Sequence, residues 1–106
     1  MIIVTTDFVA GHRIVKSLGI VRGNTIRARH VGRDIAAAFR NMVGGEITDY
    51  TKMMAESREQ SIDRMVAEAE ELGANAIIET RFSTSSMMQS AAELLVYGTA
   101  VRIEPE

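Results

Sequence analysis

The chain has 106 residues, 46% of them hydrophobic and 25% charged, with a net charge of −2, one proline and no cysteine. That length holds one domain with one core, residues 1–106, in globular rather than disordered proportions, and the missing cysteines remove disulfides, thiolate catalysis and sulfur-bound metal sites. The acidic balance argues against a dedicated nucleic-acid partner, no apolar run approaches the ~20 residues that cross a bilayer, and Met1-Ile2-Ile3-Val4-Thr5-Thr6-Asp7 lacks a basic leader; a cytoplasmic protein with no membrane partner is expected.

Residues 14–22 and 25–31 are predicted as two strands, with Ile14, Leu18 and Ile20 on one parity and arginines interleaved at 22, 27 and 29. Gly23-Asn24 between them suits a tight hairpin turn, and a β-bulge at Gly19 or Gly23 is the alternative. From Arg33 the period changes: Ile35, Ala38, Phe39 and Met42 fall on one stripe of a short helix, which Gly44-Gly45 stops.

A long helix is predicted from Thr48 or Asp49 to just before Gly73. Tyr50, Met53, Met54, Ile62, Met65, Val66, Ala69 and Leu72 form its apolar stripe, with the small Ser57 and Ser61 on the same side. About 24 residues at 1.5 Å each make about 36 Å, whereas a 100-residue domain has a radius of gyration near 13 Å, so part of that stripe is expected to need a neighbouring subunit. Residues 74–84 alternate as a strand with one wet face, residues 83–86 with Gln89-Ser90 suit a loop, and residues 94–103 form a last strand apolar on both parities, whose second face also calls for a partner. The expected class is α+β, an antiparallel sheet with one short and one long helix.

Charge is distributed unevenly. Residues 1–45 carry seven arginines and lysines against Asp7 and Asp34, and residues 46–72 carry eight acids against three bases. A basic sheet rim is therefore expected to pair with an acidic helix, within a subunit or between neighbours.

Gly19-Ile20-Val21-Arg22-Gly23, Arg33-Asp34, Val43-Gly44-Gly45, Tyr50, Ala55 to Arg58, Leu72-Gly73-Ala74-Asn75-Ala76 and Tyr97-Gly98-Thr99-Ala100-Val101 resemble the YbjQ-like family over nearly the whole chain. The family has no established activity and carries a heavy-metal-binding label. What the resemblance implies is a long helix on an antiparallel sheet, assembled as a ring-shaped homopentamer. The chain departs from the family pattern at Gly32, at Glu46-Ile47 and at Thr51.

The label's chemistry finds little to work with. His12 and His30 are the only imidazoles, with no ligand spacing between them, and Met53-Met54 and Met87-Met88 suit gap-filling better than Cu(I) ligation. No metal ligand set is predicted within one chain, although five copies of one residue, such as His30, Met87 or Met88, around a symmetry axis would create one. For acid–base work the material is Asp34, Glu46, Asp49, Tyr50 and Arg58, without a Ser-His-acid set or an activated carboxylate pair. Gly44-Gly45 lacks the spacing of a phosphate loop, and the helix start near Thr48 is flanked by repelling Glu46 and Asp49.

Arg33, Asp34, Tyr50 and Arg58 are thus the candidate ligand-binding residues, and their plainer role is to tie the two helices and the Gly-Gly corner together. No catalytic residue and no cofactor is identified. The sequence supports a non-enzymatic, ring-forming subunit first, a small-ligand or metal-binding module with its site at subunit interfaces second, and an enzyme around Asp34, Tyr50 and Arg58 third.

Overall fold

The structure, a computed structural model, describes residues 1–28, 48–88 and 91–106. Four strands and one helix follow in the order β1 (Ile2–Ile3), β2 (His12–Ala28), α1 (Thr48–Glu71), β3 (Ala76–Met88) and β4 (Ala91–Pro105). They make one α+β layer pair, a sheet of order β1-β3-β4-β2 with α1 against β2 and β4. The sheet is mixed rather than wholly antiparallel: β4 pairs antiparallel with both β2 and β3, while β1 adds to β3 in parallel through Ile2 and Ile3. The predicted short helix lies outside the described residues.

α1 matches its prediction because both signals are local. Its end is a Schellman turn: Gly73 at φ +82° donates to the Glu70 carbonyl, and the Ala74 N–H reaches back to the Ala69 carbonyl, both at 3.0 Å. Ala69 and Ala74 are buried in one cluster beside that turn with Val21, Met65, Ile77, Val96 and Ala100. Leu18, Ile62 and Val66 border it.

The hairpin at Gly23-Asn24 does not form. β2 runs through both residues, with Gly23 opposite Val96 and Asn24 opposite Leu95, and the bend falls earlier, where register shifts flank Lys16 and Gly19 takes φ +112°. Gly23 is used for contact instead of turning. A Cβ there would collide with the Ser61 carbonyl and come within 2.6 Å of the Met65 amide, so its absence lets α1 lie directly on the strand. Ser57, Ser61 and Thr25 are buried at the same contact: the Thr25 hydroxyl lies 3.4 Å from the Ser57 carbonyl and 3.3 Å from Ser61 Oγ, which donates to the Leu94 carbonyl at 3.3 Å.

Two further expectations are corrected. The serine-rich residues 83–86 belong to β3, where Ser83, Thr84 and Ser85 pair with Leu95, Leu94 and Glu93, because register with β4 outweighs the weak strand propensity of serine. The start of β3, Ala76–Ile78, has no wet face: Ile77 enters the helix-side cluster, while Ala76 and Ile78 join Val9, Val101 and Ile103 in a second cluster on the opposite side, bordered by Val4. At Val101 and Ile103 the second face of β4 is covered by the chain's own N-terminal segment, through Val4 and Val9.

Asn75 joins these parts. Its side chain copies a peptide group, accepting from the Ile103 N–H at 2.8 Å and donating to the Ile103 carbonyl at 2.9 Å, while its carbonyl accepts from Ile2 N–H at 3.3 Å.

Candidate functional site

Arg33 and Asp34 lie outside the described residues, as do His30, Gly44-Gly45 and Glu46. Tyr50 and Asp49 are in the first turn of α1, their side chains outside the description, and Arg58 is exposed further along the same helix. The described residues therefore bring no two of the four candidates into contact. His12 opens β2 at the edge of the sheet, its Nδ1–H donating to the Ala10 carbonyl at 3.0 Å. Met87 and Met88 end β3, and their side chains are likewise not described.

Acidic side chains crowd the solvent side of α1: Glu56, Glu59, Asp63, Glu68, Glu70 and Glu71 are all exposed. Among the described residues the ion pair present is Arg13–Glu104, at 2.8 Å between two largely exposed groups on β2 and β4. The exposed helix acids form no ion pair with Arg13, Lys16 or Arg22 of β2 among the described residues.

Strand register assembles a group that periodicity in the sequence could not reveal. On the sheet face away from α1, Tyr97 of the central strand stands opposite Arg22 on β2 and opposite Arg81 on β3. Side chains of directly opposed residues share a face and lie within reach of one another, so an arginine stands on each side of one tyrosine. All three are exposed, Tyr97 by 40%. Arg81 is held in place, its Nη1 donating to the carbonyls of Thr5 at 2.8 Å and Thr80 at 2.9 Å. Arg22 makes no hydrogen bond or ion pair with another described residue. Beside Tyr97 a depression of about 420 Å³ is lined by Arg22, Asn24, Glu93 and Leu95. Asn24 Nδ2 donates to Glu93 Oε2 at 2.9 Å, and Arg64 of α1 donates to the Asn24 carbonyl.

Next to Arg81 the strand bulges. Ile78 is opposite Thr99 and Arg81 opposite Tyr97, so Glu79 and Thr80 together face Gly98. Glu79 takes φ +52°, a conformation costly for a side chain of its kind, and the N-terminal segment secures it: Glu79 N–H donates to the Thr6 carbonyl at 2.9 Å and Thr80 N–H to the Val4 carbonyl at 3.1 Å. A Cβ on Gly98 would meet Ile77 Cγ2 at 2.7 Å, so glycine is required for the bulge to close. Thr80 Oγ1 is buried without a hydrogen-bond partner among the described residues.

Residues 1–104 match the family model whose description reads "Putative heavy-metal-binding". The chain is 60% identical over 104 residues to a UPF0145 protein of Dehalococcoides mccartyi, covering 98% of this chain and all of that one. It is 58% identical over 106 residues to a UPF0145 protein of Clostridioides difficile, covering all of this chain and 95% of that one. A crystal structure of a protein of unknown function in the DUF74 family, from Pediococcus pentosaceus, superposes with a TM-score of 0.65 at 18% identity over 98% of each chain, a likeness of fold.

The described residues can be set against the metal chemistry in that description. Among the described residues no three His, Asp or Glu side chains gather to hold an ion, the chain has no thiolate, and the Met65 thioether is sealed in the core.

Proposed function

The chain belongs to the YbjQ-like family, and from that premise we propose that it is a non-enzymatic, cytoplasmic subunit of a ring-shaped homopentamer with a structural or binding role. The observation that carries this reading is the pair of sheet edges. Among the described residues, the outer edge of β2 has no partner strand along His12–Ala28, and β3 has none beyond the segment bonded to residues 2–6. Edges of that length are a liability in a lone subunit, and a head-to-tail contact that closes on itself removes them all.

Charge supports the same arrangement, since the acids of α1 and the bases of β2 are complementary, yet no ion pair joins the two sets among the described residues. So does shape. The radius of gyration is 17.3 Å against about 13 Å for a compact chain of this size, and Phe82, which shares the side of the sheet that Val96 faces, is 47% exposed because α1 covers β2 and β4 instead of β3. Among the described residues no helix is long and apolar enough to cross a membrane.

Native mass spectrometry of gently purified protein tests the proposal. The expected species has five times the 11.6 kDa chain mass and dissociates as salt is raised. A monodisperse monomer overturns it.

A further inference from the structure

We infer that the open face of the sheet binds a single nucleotide, its base over Leu95 and the near edge of the Tyr97 ring and its phosphate beyond, toward Arg22 and Arg81. The inference goes beyond the assembly, because all four residues lie on one chain and the register of β2, β3 and β4 alone brings them together.

Three properties of the patch select this ligand. A half-exposed phenol ring in the central strand offers a stacking surface to a planar ring, and Leu95, two residues along on the same face, extends it. Arginines on both neighbouring strands supply forked N–H donors suited to phosphate oxygens, and they stand two strand spacings apart, about 10 Å, so they straddle the ring. Arg81 is already oriented by the Thr5 and Thr80 carbonyls, which lowers the entropy lost on binding, and Arg22 has no competing partner among the described residues.

The depression lined by Arg22, Asn24, Glu93 and Leu95 gives the ring somewhere to settle. Glu93 lies at its far end from Arg81, tied to Asn24, where it would repel a phosphate but accept from the amino group of a base. Charge thus orients the ligand, phosphate toward the arginines and base edge toward the carboxylate. The patch is too small for a strand of RNA, whose readers on open sheets stack two or three bases on as many aromatics, whereas Tyr97 is the one aromatic among the described residues of this face.

Calorimetric titration of the full chain with AMP, GMP, CMP and UMP, and with adenosine and inorganic phosphate separately, tests the inference. At least one monophosphate should bind more tightly than either adenosine or phosphate alone. Tyr97→Ala and Arg22→Gln should each weaken that binding about tenfold, as the loss of one stacking or one charge-assisted contact does, and Tyr97→Phe should retain it. No binding of any monophosphate at millimolar concentration, equal binding of phosphate and nucleotide, or binding indifferent to both substitutions overturns it. Circular dichroism checks each variant. If Tyr97→Ala fails to fold, the exposed Arg22→Gln decides. Native mass spectra of the same samples keep the two readings apart, since a monomer that binds nucleotide sinks the ring alone, and a pentamer that does not sinks the platform alone.

Discussion

The sheet is covered twice, and the two covers differ in kind. On one side a helix of 24 residues packs its Met65 and Ala69 on Val21, Ile77, Val96 and Ala100, all six with no exposed surface. On the other, an irregular segment carrying Val4 and Val9 lies over Ala76, Ile78, Val101 and Ile103, held by single backbone hydrogen bonds to β3 and by the turn at Gly11. A helix satisfies its own backbone and can place all its contacts on packing, while a strap must borrow its hydrogen bonds from the strand beneath. The difference teaches where stability and where local opening should reside.

The strongest way to break the helix side is Gly23→Ala. The added methyl meets backbone atoms of α1, which can yield only if the helix lifts, and a loss of about 3 kcal/mol or more in urea unfolding is expected. Met65→Ala leaves the helix seated but hollows the cluster under it, with an expected loss of about 3 kcal/mol by the same measurement.

Asn75→Ala attacks the joint between the two covers. It strands the Ile103 N–H and carbonyl together and should cost about 2 kcal/mol. Val9→Ala, on the strap, should cost only about 1 kcal/mol, because the segment can collapse onto the smaller side chain. Hydrogen exchange sharpens the comparison without a mutation: the Glu79 and Thr80 amides, bonded to Thr6 and Val4, should exchange well before those of Val96 and Val101 in the central strand. Equal rates would mean that the strap and the helix side open together.

What could be read from the sequence follows the same division. α1 was legible because its period, its start near Thr48 and its stop at Gly73 are all local signals, and the apolar parities of β4 announced a strand buried on two sides. Gly23 misled because glycine marks a turn and a close contact alike, and only the position of Ser61 and Met65 distinguishes them. The strand through Ser83–Ser85 and the left-handed Glu79 are imposed by pairing, which no residue type there advertises. As for the site, Arg33 and Asp34 fall outside the described residues, and Arg58 stands exposed on α1. Arg22 and Tyr97 could be seen individually, but their opposition across the sheet depends on a register set by bulges that the sequence does not print.

β4 is paired on both flanks, yet it comes after every other strand in the chain. Among the described strands β2 and β3 share no neighbour except β4, so during synthesis a ribosome-bound chain that has already produced both, and α1 between them, has none of the antiparallel pairs described above to close. Until Ala91–Pro105 clears the exit tunnel the apolar faces that β4 covers stay open, and a chain cut short by even that one strand loses both antiparallel pairings at once rather than a fraction of its stability.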